Sequence, residues 1–296
     1  MKNTLMATLV LTAMVSGCYK DGTDSDVVFD TSSKTNSKVR YLCVGMESSK
    51  RFGACPGCAS DAATLQMMLS RLGYVGEVLI SSQATKSEVV SRLYGGITNT
   101  DEDGLFIFCY SGHGGQEYLG GKEPDGAERQ DEYLCLYDTY MKDDEIWEII
   151  SKCKGRVFLY FDACHSATMY RSVASELSVA KEGVAVALEA NNLVKSSGFS
   201  FSPQGFAMAE AMSADGDKPR NSIRMLCWSG CQELEYSYGG SNGGVMTRAF
   251  SRNWKKGITY GELWPRIVSD VKKEQPTQNP SQTVIGGGFS GVEVFR

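Results

Sequence analysis

Two apolar runs in this chain end in residues that can do chemistry. FIFCYSGHGG (106–115) delivers His113 into a collar of glycines, and VFLYFDACHSA (157–167) delivers Cys164. A thiol is only a few per cent ionised near neutral pH and needs help to become a strong nucleophile. The chain has two histidines, His113 and His165. His165 is the immediate neighbour of Cys164, and adjacent side chains on a strand point apart. His113 is therefore the imidazole available to the thiol. Their separation of 51 positions along the chain leaves room for one helix and a crossover between neighbouring parallel strands. Ligands of parallel α/β sheets bind at the carboxyl ends of the strands, where both residues would emerge. Taken singly, His113 reads as a loop histidine and Cys164 as a buried strand-end cysteine. Together they read as the two partners of nucleophilic acyl transfer. The glycines around His113 are expected to turn the backbone sharply and to let a substrate approach the N–H groups.

The elements that would position this pair alternate along the chain. Strands are expected at VRYLCVGM (39–46), GEVLIS (76–81), GLFIFCY (104–110) and GRVFLYFDAC (155–164). SDAATLQMMLSRLGY (60–74) has apolar residues at 62, 65, 68, 69 and 72, which is helical spacing. TKSEVVSRLYGG (85–96) opens on Thr and closes on Gly-Gly like a capped helix. DDEIWEIISKC (143–153) places acids at a helix N-terminus, where the macrodipole favours them. This order predicts an α/β fold with a mostly parallel sheet flanked by helices on both faces. Strands that are apolar throughout fit burial on both sides. Further on, IRMLCWSG (223–230) reads as a strand. GGVMTRAFSRNW (243–254) and TYGELWPRIVSDVKKEQ (259–275) read as helices, and TVIGGGFSGVEVF (283–295) as a last, glycine-interrupted strand. Residues 168–222 read as an insertion or linker, with helical stretches near 171–195 and an exposed SADGDKPRNS (213–222).

The first 17 residues have the dimensions of a secretory signal, with Lys2, an apolar stretch from Thr4 to Val15 and then Ser-Gly-Cys. VSGC (15–18) resembles a bacterial lipobox, which makes Cys18 the expected lipidation site. Residues 18–38, rich in Ser, Thr, Asp and Lys, read as a flexible tether. The expectation is an exported, membrane-anchored lipoprotein on the periplasmic or cell-surface side, touching the membrane only through its lipid. A net charge of −5 gives no basic field for nucleic acid, and a monomer is expected. Ten cysteines in an exported chain would suggest disulfides. Cys43, Cys109, Cys135 and Cys227, however, lie inside apolar strand-like runs, where Cys behaves as a small hydrophobe. With Cys18 lipidated an odd number remains, which permits a reactive thiol.

YSGHGGQ (110–116) and DACHSA (162–167) together resemble the caspase–metacaspase group of cysteine peptidases, in which the His lies about 50 residues before the Cys. Asp162-Ala-Cys164-His-Ser, in place of the caspase Gln-Ala-Cys-Arg-Gly, favours the metacaspase branch. GCASDA (57–62) is similar to the metacaspase Cys-x-Asn-Asp-Ala motif, with Ser for Asn. DEYLCLYDTYMKDDEI (131–146), SGCQELEYSYGGSNGGVMTRAF (229–250) and TQNPSQT (277–283) resemble further segments of that family. The resemblance implies a caspase-like domain over 39–296: a large-subunit-like part to 167, a linker over 168–222 and a small-subunit-like part over 223–296. It implies Cys164 as nucleophile, His113 as general acid and base, and the N–H groups of Gly114 and Cys164 as the oxyanion hole. It implies cleavage of protein or peptide substrates after Arg or Lys, with Asp61, Asp162, Cys58 and Ser111 lining the pocket for the basic side chain. Two carboxylates beside the nucleophile suit a cation. As a helix N-terminal acid Asp61 also has a purely structural reading. The chemistry needs no cofactor. Calcium is implied as an activator, with Asp131, Asp143 and Asp144 as ligands, although the loop between them is short and an acid found after the catalytic Cys in the family is absent here. Otherwise these acids cap the 143–153 helix. Self-cleavage is implied between the two parts, where Arg171, Lys181, Lys195, Lys218 and Arg220 are candidate sites.

Other readings compete. Cys55-Pro-Gly-Cys58, after the first strand and opening a helix, is what a thioredoxin-like oxidoreductase offers. That reading leaves His113 and Cys164 without a role and the chain far too long. Cys55, Cys58, Cys227 and Cys231 could hold a structural zinc. A binding protein on an inactive peptidase fold is the third class, against which the intact Cys–His pair speaks.

Overall fold

The computed structural model describes residues 36–118, 130–164, 223–232 and 235–296. The expected leader, Cys18, the helical stretches near 171–195 and the five candidate self-cleavage residues lie outside them. Among the described residues no helix is long and apolar enough to cross a membrane.

Six strands form the central sheet in the order β10-β7-β6-β3-β1-β2. They are β1 (Asn36–Gly45), β2 (Tyr74–Ile80), β3 (Leu105–Tyr118), β6 (Arg156–Cys164), β7 (Arg224–Ser229) and β10 (Ser281–Ile285). All neighbours run parallel except β10, which is antiparallel to β7. β1 starts at Asn36, inside the segment read as tether. Strand residues alternate between two cores. On one face Leu42, Val44, Phe108, Leu159 and Phe161 pack with α2 (Lys86–Thr98) and α3 (Asp143–Ile150). On the other, Tyr41, Ile107, Phe158, Tyr160 and Trp228 pack with α1 (Cys58–Arg71), α4 (Val245–Asn253) and α5 (Tyr260–Glu274). Both faces are covered, as the apolar strands predict. The expected α/β sandwich with a mostly parallel sheet is the observed one.

The helices follow from local chemistry. α1 buries Cys58, Asp61, Ala62, Leu65, Met68 and Leu69, one face at three-to-four-residue spacing. Thr85 caps α2 by accepting from the Glu88 N–H at 3.3 Å. Thr259 and Glu262 form a reciprocal capping box on α5.

Two expectations fail for backbone reasons. The glycine collar around His113 is not a turn. β3 runs through it without a positive φ at Gly112, Gly114 or Gly115. Beyond His113 the strand changes partner and pairs antiparallel with β4 (Gln130–Cys135), which in turn pairs with β5 (Tyr140–Lys142). Crowding explains the glycines: a Cβ on Gly112 would lie 2.3 Å from the Tyr110 hydroxyl, and one on Gly115 would lie 2.6 Å from the Tyr133 ring. The last expected strand is also shorter than its apolar run. β10 ends at Ile285, and Gly286, Gly287 and Gly288 all take positive φ and leave the sheet. Phe289, Val294 and Phe295 then pack into the α1/α4/α5 face.

Phe158 lies at the centre of an aromatic group on that face, with ring centroids 5.2 Å from both Trp228 and Tyr260 and 6.1 Å from Phe295. Phe158→Ala is expected to cost roughly 3–5 kcal/mol in a urea or guanidinium titration, and Phe158→Leu well under half of that. Equal, small losses for both would show that this core is not tightly packed.

Candidate active site

The site lies where β3 and β6 end. Their parallel register runs unbroken from Leu105↔Arg156 to Ser111↔Asp162, Gly112↔Ala163 and His113↔Cys164. The two residues singled out for nucleophilic chemistry are thus direct partners on adjacent strands.

His113 is buried, with 5% of its surface exposed. Its Nε2 lies 3.0 Å from the carbonyl oxygen of Ala54, in the loop between β1 and α1. A carbonyl only accepts, so Nε2 donates, and in the neutral ring Nδ1 carries the lone pair. Nδ1 is then the nitrogen that takes up or gives away a proton. The His113 backbone is held as well: the Tyr110 hydroxyl lies 2.7 Å from the carbonyls of both His113 and Cys135. Gly114 follows His113 at the start of the β3–β4 ladder, opposite Leu134.

Asp61 and Asp162 come together beside this pair. Asp162, on β6, is fully buried. Its Oδ1 accepts from Ser237 Oγ at 3.0 Å, and its Oδ2 accepts from the Thr247 N–H at 3.0 Å and Thr247 Oγ1 at 2.7 Å. Asp61, in the first turn of α1 and 2% exposed, accepts from Ser111 Oγ at 2.7 Å and from the Gly244 N–H at 2.9 Å. These donors replace the hydrogen bonds to water that the carboxylates give up on burial. The field of Asp162 is felt nearby. Burial raises the Tyr160 hydroxyl and the Cys231 thiol well above their ordinary values, and the Asp162 charge adds to both shifts.

A short hairpin of β8 (Gly239–Gly240) and β9 (Gly243–Gly244) brings α4 to the two carboxylates. A Cβ on Gly243, which has φ +90°, would lie 2.2 Å from Asp61 Oδ1, and one on Gly244 would lie 1.9 Å from Asp162 Oδ2. Only glycine lets the backbone pass between these acids. Gln278, fully buried, supports the group by donating to Ser237 Oγ at 3.1 Å and to the Gly230 carbonyl at 2.7 Å. Sequence reasoning missed Ala54, Ser237, Gly243, Gly244, Thr247 and Gln278. The GGVMT stretch was read as a helix start inside a segment resembling the family, with no role given to its residues. The one signal in it was a Gly pair with a hydroxyl three residues on, which is too common to assign.

The caspase-domain family, Peptidase C14, matches residues 42–284. The chain belongs to this family. Metacaspase-1 of Cryptococcus neoformans (strain B-3501A) is 26% identical over 288 residues, covering 81% of this chain and 61% of that protein. Metacaspase-1 of Pyricularia oryzae is 26% identical over 302 residues, covering 88% of this chain and 75% of that protein. The chain therefore spans about three-fifths of the length of the first of these relatives. A crystal structure of a Geobacter sulfurreducens protein superposes with a TM-score of 0.59 at 22% identity, over 85% of this chain and 94% of that one. That likeness is one of fold.

Within this caspase domain the remaining candidates separate. Cys58 is buried at the first position of α1, one turn before Asp61, and its Sγ donates to Cys55 Sγ at 2.7 Å. The zinc set does not assemble. Cys227 Sγ meets Ser229 Oγ and Cys231 Sγ meets the Glu235 carbonyl, and among the described residues no three Cys, His, Asp or Glu form a metal-holding group. Cys43, Cys109, Cys135 and Cys227 are all buried strand cysteines, as expected. Of the calcium candidates, Asp143 is buried and Asp144 exposed in the first turn of α3, while Asp131 is paired with Glu117 through its backbone. The two aspartates of α3 thus face different surroundings.

Thr247→Val keeps the shape and removes the hydroxyl donor to Asp162. It is expected to cost about 1.5–3 kcal/mol in denaturant unfolding, the usual worth of a hydrogen bond to a charged group. Gly244→Ala is expected to cost more, because its methyl group has no space. An unchanged denaturation midpoint for both would mean that Asp162 is not held as described.

Proposed function

We propose that this caspase domain is a cysteine endopeptidase that cleaves after Arg or Lys, with Cys164 as nucleophile and His113 as general acid and base. The observation that carries the reading is the pairing of His113 with Cys164 at the carboxyl ends of two parallel strands, next to two buried carboxylates. The family supports the peptidase chemistry. The basic preference rests on two buried carboxylates, Asp61 and Asp162, gathered beside the pair.

Each group has a task. Cys164 passes its thiol proton to His113 Nδ1 and, as thiolate, attacks the substrate carbonyl carbon. The electron pair moves onto the carbonyl oxygen, stabilised by the N–H groups of Gly114 and Cys164. When the intermediate collapses, the C–N bond breaks and His113 Nδ1 gives a proton to the departing amine, leaving a thioester on Cys164. Nδ1 then takes a proton from water, whose oxygen attacks the thioester and releases the acid and the Cys164 thiolate, which regains its proton from Nδ1. The Ala54 carbonyl keeps the ring oriented through Nε2, and it accepts as well from the imidazolium as from the neutral ring. A guanidinium or ammonium entering the pocket reaches Asp61, Asp162 and Ser111 together, with Cys58 behind them. Outside the domain, the reading retains a leader ending at residue 17, a lipid on Cys18, a tether to the exported face of a membrane and a monomeric catalytic unit. The thioredoxin-like alternative has no observation that favours it over the peptidase.

The test uses fluorogenic peptides with Arg, Lys or Asp at the cleaved position, with and without calcium. Cleavage after Arg and Lys is expected, with Cys164→Ala abolishing it and His113→Gln lowering kcat by about 10²–10⁴-fold. Asp162→Asn should lower kcat/KM for arginyl substrates by about 100-fold or more. Cleavage after Asp alone would overturn the pocket assignment. Full activity in Cys164→Ala would overturn the nucleophile. A rate that does not respond to calcium or its chelation would remove calcium as an activator.

A further inference from the structure

The Cys55-Pro56-Gly57-Cys58 turn takes no covalent part in the hydrolysis proposed above, yet it touches both halves of the site. Cys55 and Cys58 are 2% and 0% exposed, with their sulfurs 2.7 Å apart. A disulfide bond is about 2.05 Å long, so closure requires less than an ångström of movement. The backbone is already folded for it: the Cys58 N–H donates to the Cys55 carbonyl at 3.3 Å, and Gly57 supplies the left-handed φ of +93°. The Glu47 carboxylate clamps the same turn by accepting from the N–H groups of Gly57 and Ala59. Immediately before Cys55 stands Ala54, whose carbonyl holds His113 Nε2. One turn after Cys58 stands Asp61.

We propose that Cys55 and Cys58 are a redox site: a disulfide between them fastens the loop that orients His113 to the helix turn that carries Asp61. The effect on activity rests on the acid–base role of His113 argued above; the bond itself does not. It forms by exchange with a low-molecular-weight or protein disulfide. One thiolate attacks that disulfide and expels one of its sulfurs as a thiolate. The second cysteine then attacks the mixed disulfide and expels the other. Cys55 and Cys58 lose two electrons together, the partner is reduced to two thiols, and the two protons released here end on those thiols. Access comes from the surface position of the loop, where Arg51, Gly53 and Ala54 are exposed. Cys43 and Cys109 provide an internal contrast. They too are direct partners on adjacent strands, but in mid-sheet, where burial holds the Cys109 thiol well above its ordinary value and Cys43 adds to the shift.

Two measurements test this. First, the full chain carrying Cys164→Ala is equilibrated at a series of reduced-to-oxidised glutathione ratios, unfolded in N-ethylmaleimide and mapped by mass spectrometry. A Cys55–Cys58 peptide unlabelled and lighter by the two lost hydrogens, appearing as the ratio falls and reversed by a phosphine, is expected, with Cys43 and Cys109 labelled throughout. Labelling of Cys55 and Cys58 at every ratio, or linkage of Cys55 to Cys135 instead, overturns the site. Second, the chain with Cys164 intact is oxidised, and Cys164 is regenerated with a monothiol. Its arginyl-peptide cleavage is expected to exceed that of the fully reduced protein by about threefold or more, and Cys55→Ser should abolish this difference. A disulfide without any such difference overturns the coupling to His113. Absence of cleavage in every state overturns the peptidase reading and leaves the mass measurement standing.

Discussion

The interaction on which everything else rests is the parallel ladder between β3 and β6. Nine successive pairs, from Leu105↔Arg156 to His113↔Cys164, set which residues meet at the top of the sheet. A slip of one residue would send each side chain to the opposite face. His113 would leave Cys164, and Ser111 would leave Asp162. Packing forbids the slip, because alternate residues of both strands fill two different cores and the Phe108 and Phe161 rings meet edge-on at 5.8 Å. The hydrophobic patterning of two strands thus fixes which backbone positions, 113 and 164, stand opposite each other. The same ladder ties the His113–Cys164 pairing to the buried Asp162 carboxylate, since Asp162 is only two residues from Cys164.

The second constraint is electrostatic. Burying a carboxylate costs several kcal/mol unless hydrogen bonds replace the lost water. For Asp61 and Asp162 the donors come mostly from beyond the segment 165–222: Ser237, Gly244 and Thr247. Gly244 and Thr247 lie at the start of α4, where the helix dipole adds to the attraction. The pocket is therefore a joint product of both parts of the chain.

Much of this was legible in the sequence, and the failures have physical causes. The parallel strands announced themselves by continuous apolar runs, α1 and α2 by their spacing and caps, and the candidate pair His113–Cys164 by elimination among two histidines. Asp61, Asp162 and Ser111 came from a motif resemblance, and the structure brings the three together. The glycine collar was misread because glycine signals both turning and crowding, and only the neighbours, Tyr110 and Tyr133, distinguish them. The run 283–295 looked like one strand because apolar residues recur in it, yet its residues after the three glycines pack as a loop. Gly243, Gly244, Thr247 and Gln278 were invisible because their role arises from what faces them across the fold. Backbone contributions leave no side-chain signature at all, and the Ala54 carbonyl is the clearest case.

Contacts between the two parts also bear on a break in the chain between them. β7 pairs with β6 over six residues, from Arg156↔Arg224 to Phe161↔Ser229, and Trp228 and Met225 insert into the two cores. The carboxylate network adds Ser237, Gly244 and Thr247 against Asp61 and Asp162, with Gln278 behind. A cut between Cys164 and Ile223 breaks none of these contacts. It would leave two fragments joined by a buried ladder, two shared cores and a shared pocket, all of which water would have to penetrate before they parted. What such a cut changes is the covalent restraint on the chain just after Cys164, at the end of β6. In this fold, continuity of the polypeptide and integrity of the site are separate properties, because the sheet supplies the cohesion.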